Sequence, residues 1–135
     1  MAEGIARSMA NRLPGVDGGI ASAGIEGLVG TPPPTMARDV ASAHGIDISS
    51  HRARQLDKGM LDEAKFVLCM TKEHKARITS AFPRASKKVF LLTEFGAEPP
   101  AEGSDIEDPY GGSRLDYERC FLRLQKELER IAKSE

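Results

Sequence analysis

The apolar residues near the end of the chain follow a helical repeat. They stand three or four positions apart, at Phe121, Leu124, Leu128 and Ile131. Charged residues fill most positions between them, so the pattern predicts a helix that packs on a core by one face. Ser113 and Asp116 have the spacing of a capping box and mark where this helix is expected to begin.

The first segment of the chain shows the same kind of repeat over fewer turns. The spacing predicts a helix that ends near Pro14-Gly15. Its apolar residues are four apart, at Ile5, Met9 and Leu13. Residues 19–25 are mostly apolar, bracketed by glycines and too few for a helix, so we predict a strand there.

A second helix is predicted after the prolines at 32–34, which a helix interior does not tolerate. Thr35 is expected to cap this helix, and Gly45 is expected to end it. Its predicted apolar face consists of Met36, Val40 and Ala43.

Strands and helices alternate through the middle of the chain. A short helix from Lys58 to Ala64 precedes the apolar run 66–70, which reads as a strand buried on both faces. Thr71 is expected to cap the next helix, and residues 88–92 are predicted to form another strand. The apolar face of the helix between these strands is expected to hold His74, Ile78 and Phe82. Strands separated by helices predict an α/β fold, a doubly wound parallel sheet with helices on both faces.

A long acidic segment follows the last predicted strand. From Glu94 to Ser113 the chain carries six acidic residues, several glycines and prolines, and no lysine or arginine. Loops of this length in a compact domain are usually functional. Because ligands of open parallel sheets bind beyond the carboxyl ends of the strands, this segment is where we expect the chemistry.

Composition narrows the choice of partners. The 135 residues have 19 basic and 20 acidic side chains and a net charge of −1, so no overall field favours nucleic acid or an anionic membrane. Met1 to Leu13 lacks the continuous apolar run of a signal peptide or membrane span, and we expect a cytoplasmic protein. The 2 cysteines, Cys69 and Cys120, have no zinc-like spacing, so neither a metal site nor a cofactor is expected.

The stretch Asp105-Ile106-Glu107-Asp108-Pro109-Tyr110-Gly111-Gly112-Ser113 resembles a motif of the low-molecular-weight protein phosphatases. Further matches to that family occur in the family's order at Ser22-Ala23-Gly24, His51-Arg52-Ala53-Arg54-Gln55-Leu56 and Leu68-Cys69-Met70-Thr71. Met1-Ala2-Glu3 looks like the residues that follow the family's phosphate loop, whose pattern is Cys-x5-Arg. The ordered set of matches is specific to this family. The stretch Asp108-Pro109-Tyr110-Gly111-Gly112-Ser113 and the final helix look somewhat closer to the bacterial protein arginine phosphatases.

What the resemblance implies is hydrolysis of a phosphorylated protein side chain, phosphotyrosine or phosphoarginine, through a cysteinyl-phosphate. Asp108 matches the residue that protonates the leaving group and then activates water. Tyr110 resembles the aromatic wall of the substrate pocket, and Ser22 and His51 match residues that support the phosphate loop by hydrogen bonds. The family fold is the same doubly wound parallel sheet.

Each of these assignments has an alternative in the residues alone. For Asp108 it is an acidic turn residue that accepts a hydrogen bond from its own backbone. For Tyr110 it is partial burial on the domain surface, for Ser22 a strand-end hydroxyl, and for His51 an exposed linker histidine. His44 and His74 are interpreted as helix surface residues.

The family's nucleophile has no counterpart in this chain. Lys75 stands six positions after Cys69 and Lys126 six positions after Cys120, so no Cys-x5-Arg is present. We therefore expect residues 1–135 to be a single, N-terminally incomplete domain that is inactive as numbered and lacks the first, central strand of the sheet. Such a strand makes on the order of ten hydrogen bonds worth roughly 1 kcal/mol each. Because this rivals the stability of a whole domain, we expect a misplaced start or a truncated sequence.

Two other functional classes stay open at this point. One is a non-catalytic binding or regulatory domain derived from the phosphatase. The other is the arsenate reductases that share the fold and resolve their intermediate with further cysteines. They are disfavoured because Cys69 is predicted in a strand and Cys120 on the last helix.

Overall fold

The computed structural model describes residues 1–10, 13, 19–24, 29–95 and 105–133. Five α-helices and two strands lie in these ranges. In chain order they are α1 (Ala2–Ser8), α2 (Thr35–Ala43), α3 (Lys58–Glu63), β1 (Val67–Cys69), α4 (Lys72–Ala81), β2 (Val89–Leu91) and α5 (Arg114–Lys133). A 3-10 helix, Pro83–Lys88, joins α4 to β2.

The two strands pair in parallel, as their separation by a helix predicted. Val67 lies opposite Val89, and Cys69 lies opposite Leu91. Within the described residues the sheet has these two strands. Helix α4 provides the crossover that a parallel pair requires, so the α/β class predicted from the sequence is confirmed.

Helices pack on both faces of this small sheet. Leu68 and Met70 contact one apolar cluster, which is built mainly from α1, α2 and α5. Val67 and Cys69 contact a second cluster, which includes residues of α3, α4 and β2. The alternation follows from the period of two along a strand.

Helix α5 has the buried face that its periodicity predicts. Phe121, Leu124, Leu128 and Ile131 are all at most 5% exposed. The capping box is also present, because the backbone N–H of Ser113 donates to Asp116 Oδ2 and the backbone N–H of Asp116 donates to Ser113 Oγ. No helix among the described residues combines the length and apolar character needed to cross a membrane.

The strand predicted over residues 19–25 is wrong for the part that the structure describes, 19–24. Gly24 forms one isolated bridge with Gln55. Its N–H donates to the Arg54 carbonyl at 2.7 Å, and its carbonyl accepts from the Leu56 N–H at 2.8 Å. A strand needs a ladder of successive bridges, and within the described residues this segment has a single one. Ile25 lies outside the described residues.

Two helix details also differ from the prediction. Helix α1 ends at Ser8, before Leu13 is reached, and Pro14-Gly15 lies outside the described residues. Pro34, not Thr35, is the N-cap of α2, and it makes no side-chain cap bond. Thr35 is the first residue inside the helix, and its Oγ1 accepts from Arg38 at 3.3 Å.

The apolar face of α2 is also rotated relative to the prediction. Met36 and Ala43 are exposed, and the buried residues are Ala37, Val40 and Ala41. Small alanines let α2 approach α5 closely, which outweighs the larger apolar area of Met36. Gly45, with φ of +79°, follows the helix as predicted.

The burial predicted for β1 is wrong as well. Phe66 is exposed, and Val67 and Leu68 are half-buried. The physical reason is that Phe66 lies outside the paired residues of β1, and that Val67 and Leu68 pack against the two apolar clusters without belonging to their buried cores. The caps of the neighbouring helices are regular: Thr71 caps α4 as predicted, and Asp57 caps α3.

Glu94 ties α4 to the end of β2. Its Oε1 accepts from Lys75 Nζ at 2.6 Å and from the Leu91 N–H at 2.8 Å. The hydrogen bond from Lys75, followed by that from Leu91, holds the pKa of Glu94 below its ordinary value. A carboxyl with a lower pKa in the folded state stabilises the fold above its unfolded pKa, and this stabilisation is lost as the pH falls through the folded pKa.

We expect Glu94→Ala to lower the free energy of unfolding near neutral pH by about 1.5–3 kcal/mol, as for other hydrogen bonds to a charged group. The difference from the unchanged protein should shrink below about pH 4, where the carboxyl becomes protonated. Urea unfolding across this pH range measures it. The matched control is Asp62→Ala, which breaks the exposed pair with Lys58 and should change stability by less than about 0.5 kcal/mol. An effect of Glu94→Ala that is equal at every pH would contradict the ionic origin.

Candidate active site

The loop that carries Asp108 is tied to the end of β1. The Ile106 N–H donates to the Met70 carbonyl at 2.8 Å. One residue earlier, Asp105 Oδ1 accepts from the Lys72 N–H at 2.8 Å. Ile106 itself is 4% exposed and belongs to the cluster with α1, α2 and α5. Three contacts therefore fix the loop just before Asp108: the backbone N–H of Ile106, the carboxylate of Asp105 and the buried side chain of Ile106.

A tight turn follows Asp108 and leads into α5. The Gly112 N–H donates to the Pro109 carbonyl at 2.7 Å. Gly111 has φ of +82°, the conformation that the third residue of a type II turn requires and that glycine adopts without strain. The capping box of Ser113 and Asp116 then begins the helix. Asp108 thus lies between a fixed point on β1 and a fixed point on α5.

The Asp108 side chain is exposed and shaped by its own turn. Its Oδ1 accepts from the Tyr110 N–H at 3.0 Å. This is the local backbone bond considered as the alternative to a catalytic role. Burial lowers the pKa of the Met1 amino group, while Cys120, Glu3 and Asp108 act in the opposite direction.

Tyr110 and Tyr117 occupy different environments beside Asp108. Tyr110 is 77% exposed, so it is not the partly buried residue that the alternative describes. Tyr117 is buried on α5. Burial, followed by the nearby Asp108 and Tyr110, raises the pKa of Tyr117, and a backbone hydrogen bond with Gly111 opposes this. Tyr117 therefore packs under the turn on its buried side, and the Tyr110 side chain is exposed to solvent.

Ser22 and His51, both predicted as supports of the phosphate loop, meet at one carboxylate. Ser22 Oγ donates to Glu3 Oε1 at 3.1 Å. His51 Nδ1 lies 3.3 Å from Glu3 Oε2. Glu3 is in the first turn of α1, and its side chain is 13% exposed. The structure brings these three residues together, although they lie far apart along the chain.

Two arginines complete the surroundings of Glu3. Arg7 Nε is 3.4 Å from Glu3 Oε2, and Arg54 Nη2 is 3.6 Å from Glu3 Oε1. These groups line a cleft of about 300 Å³, together with Asp47, Ile48, Ser50 and Arg52. From the sequence, Glu3 was part of a motif match and had no predicted role, because an acidic residue in a first helical turn is ordinary. No pattern in the sequence indicates that Arg7 and Arg54 lie close to the Glu3 carboxylate.

The Glu3 cluster lies at the start of α1, because Glu3 is in the first turn of that helix. The loop that carries Asp108 joins the same apolar cluster as α1 through the buried Ile106. The site residues predicted from the sequence therefore form two groups on elements that share one core. Asp108 and Tyr110 belong to the loop, and Ser22 and His51 belong to the Glu3 cluster.

Neither cysteine has the surroundings of a nucleophile. Both are free thiols. Burial raises the pKa of Cys69 to about 11, and burial, the largest cause, also raises the pKa of Cys120. A nucleophilic cysteine needs a lowered pKa. Among the described residues, no three His, Cys, Asp or Glu side chains are arranged to hold a metal ion.

The chain matches one family model over nearly its whole length. The model, described as low molecular weight phosphotyrosine protein phosphatase, matches residues 1–134. The low molecular weight protein-tyrosine-phosphatase Etp of Escherichia coli K12 is 33% identical over 127 residues, which are 94% of this chain and 81% of that protein. A protein-arginine-phosphatase of Geobacillus stearothermophilus is 36% identical over 121 residues, 90% of this chain and 78% of that protein.

Solved structures agree with these relatives. The YwlE arginine phosphatase from Geobacillus stearothermophilus superposes with a TM-score of 0.87 at 33% identity, covering 98% of this chain and 80% of that chain. A low molecular weight protein tyrosine phosphatase from T. tengcongensis gives a TM-score of 0.82 at 34% identity, covering 99% and 88%. The likeness therefore includes the arrangement of the elements around the candidate site.

We expect Glu3→Gln to lower the free energy of unfolding by about 1–3 kcal/mol, because a neutral amide weakens every charged contact of the cluster. A double-mutant cycle with Ser22→Ala should give a coupling energy above about 0.5 kcal/mol. Urea unfolding of the four proteins measures this. The same cycle between Ser22→Ala and Asp62→Asn is the control and should be additive. Additivity of the Glu3 and Ser22 changes would contradict the shared cluster.

We expect the Cys69 thiol to be alkylated by iodoacetamide about a hundredfold more slowly in the folded protein than in urea. The thiolate is the reactive form, and a rise of the pKa from 9.0 to about 11 reduces it by that factor. Mass spectrometry of the Cys69 peptide over time gives both rates. Equal rates in the two conditions would show that Cys69 is accessible and ionisable, contrary to its burial.

Proposed function

The chain belongs to the low molecular weight phosphotyrosine protein phosphatase family, and from this premise we propose that it supplies the general-acid side of a protein phosphatase site. The single observation that carries the proposal is the fixing of the loop on both sides of Asp108, by the bond of Ile106 to Met70 and by the cap of α5. In this proposal residues 1–135 are one domain.

Asp108 serves twice in the proposed reaction. A cysteine thiolate attacks phosphorus, the bond from phosphorus to the side-chain oxygen or nitrogen breaks, and Asp108 gives its proton to that leaving atom. In the second step the Asp108 carboxylate takes a proton from water, which attacks the cysteinyl-phosphate and releases phosphate and thiolate. The exposure of Asp108 is consistent with contact to a protein substrate.

The thiolate and its arginine have to come from a Cys-x5-Arg loop, which this chain does not contain. Lys75 and Lys126 occupy the positions where Cys69 and Cys120 would need arginine. We therefore propose that residues 1–135 alone do not turn over phosphate. The central strand that leads to such a loop would lie between β1 and the segment 19–24. Two observations support this: the segment has one isolated bridge, and β1 pairs on one side in the described residues.

The Glu3 cluster has a supporting role in this proposal. Ser22 and His51 are held on Glu3 at the start of α1, the helix that follows the phosphate loop in the family motif. From there they would orient the loop and not touch the reacting atoms. Tyr110, which projects from the turn after Asp108, would form a wall of the substrate pocket.

The substrate is proposed to be a phosphorylated protein, with phosphotyrosine or phosphoarginine as the side chain. Relatives named for each activity match at similar identity, 33% and 36%. The second candidate is a non-catalytic binding domain that keeps the fold. An arsenate reductase is disfavoured, because burial raises the pKa of both thiols that would have to resolve an intermediate.

The test joins the first strand and Cys-x5-Arg loop of a family member to Met1, giving the extended chain. We expect the extended chain to hydrolyse phenyl phosphate, and Asp108→Ala to lower its kcat by about 10²–10⁴-fold, the usual contribution of a general acid. The matched control is Glu107→Ala, an exposed carboxylate of the same loop, which should keep kcat within about threefold. Phosphate release measured by colour development gives the rates.

Three outcomes would contradict the proposal. An Asp108→Ala loss below about tenfold removes Asp108 from the mechanism. Turnover by the unextended 135-residue chain shows that another nucleophile is present. A correctly folded extended chain that binds a phosphorylated peptide without hydrolysing it favours the binding domain.

A further inference from the structure

Asp105 makes a contact that its position in the acidic loop does not predict. Its Oδ1 accepts from the Lys72 N–H at 2.8 Å, across 33 residues of sequence. Lys72 is the first residue of α4, where backbone N–H groups have no partner within the helix. A carboxylate at this end also interacts favourably with the helix dipole.

The amide bonded by Asp105 is separate from the one bonded by the local cap. Thr71 Oγ1 accepts from the His74 N–H at 3.1 Å and so already caps α4 from its own N-terminus. The Asp105 carboxylate takes a different N–H and reaches it from the loop. The helix therefore has a cap without Asp105, whereas the loop gains from Asp105 a link to α4.

This link lies close to Asp108 along the chain. Two residues separate Asp105 from Asp108, so the two Cα atoms are at most about 11 Å apart. The next residue, Ile106, donates its N–H to Met70 and is buried. The Asp105 side chain and the Ile106 backbone are thus both fixed where β1 leads into α4, shortly before Asp108 in the chain.

We propose that Asp105 is a positioning residue for the general acid: its carboxylate, held by the Lys72 N–H, sets where the Asp108 carboxyl stands. The role depends on the proposed function of Asp108, but the geometry can be tested without it. Asp105 touches no reacting atom in this scheme. A misplacement of a catalytic group by about 1 Å can cost on the order of a hundredfold in rate, so the link has a kinetic consequence.

The first experiment uses the 135-residue chain itself and measures amide hydrogen exchange by NMR. We expect Asp105→Ala to speed exchange about tenfold or more at Lys72 and also at Ile106, because both amides are held by the same docked segment. Asp105→Asn, which keeps an acceptor oxygen, should restore most of the protection, and Glu107→Ala should leave both amides unchanged. Faster exchange at Lys72 with unchanged exchange at Ile106 would overturn the proposal, since Asp105 would then be a helix cap alone.

A second variant breaks the same link from the other side. Lys72→Pro removes the N–H donor, and proline is well tolerated at the first position of a helix. Thr71, with φ of −128° and ψ of 156°, already has the extended conformation that a following proline favours. Lys72→Ala is the control for the loss of the lysine side chain. We expect Lys72→Pro to speed exchange at Ile106 as Asp105→Ala does, and Lys72→Ala to leave it unchanged.

The kinetic experiment uses the extended chain and two leaving groups. A general acid matters more for phenyl phosphate, whose leaving group is a strong base, than for p-nitrophenyl phosphate. We expect Asp105→Ala to lower kcat/KM about tenfold for phenyl phosphate and less than about threefold for p-nitrophenyl phosphate, because kcat/KM reports the step in which the leaving group departs, whereas hydrolysis of the cysteinyl-phosphate is common to both substrates. Asp105→Asn should regain most of the loss.

The outcomes separate the two proposals. If Asp108→Ala does not change the ratio of the two rates, the proposed function fails. If Asp108→Ala changes the ratio and Asp105→Ala does not, Asp108 remains the general acid and the positioning role of Asp105 is overturned.

Discussion

The docking of residues 105 and 106 on the end of β1 is the constraint on which the candidate site depends. The Ile106 N–H bonds to the Met70 carbonyl, and the buried Ile106 side chain joins the cluster of α1, α2 and α5. This contact fixes the chain two residues before Asp108. With it, β1, α4 and α5 share one junction, and the short turn after Asp108 has both of its ends fixed.

The Glu3 cluster shows a different use of charge. One carboxylate, 13% exposed, faces a serine, a histidine and two arginines. The two arginines are largely exposed, so their ion pairs with Glu3 contribute less to stability than the hydrogen bond from Ser22. The effect of the cluster is geometric, because Ser22 and the segment with His51 and Arg54 are both held at the first turn of α1. A phosphate loop placed at this end of α1 would contact side chains that the Glu3 cluster already holds in position.

Local signals predicted the parts of the structure that depend on neighbours in sequence. The face of α5 follows from the spacing of Phe121, Leu124 and Leu128, and the cap of α4 follows from Thr71. The strand predicted at 19–24 was wrong because a strand forms only when it pairs with another strand, and a local sequence pattern does not say where that other strand lies. The apolar face predicted for α2 was wrong because packing buries Ala37 and Ala41 and leaves the larger Met36 exposed.

The same limit applies to the site. Asp108, Tyr110, Ser22 and His51 were named from a family resemblance, and their roles remain predictions. The contacts that surround them join residues 19 to 48 positions apart, such as Ser22 and His51 with Glu3, or 33 apart, such as Asp105 with Lys72. Such separations carry no periodic signal, so neither the convergence on Glu3 nor the link of Asp105 could be derived from one sequence.

The turn bond of Asp108 does not compete with a catalytic role. The Tyr110 N–H occupies Oδ1, and a transferable proton would be carried on Oδ2 of the same carboxyl. A general acid that must also act as a base needs one oxygen directed at the reacting atoms in both steps. By holding Oδ1, the turn directs Oδ2 in a fixed orientation. The alternative considered for Asp108, an acidic residue bonded to its own backbone, is therefore the means by which the proposed general acid would be oriented.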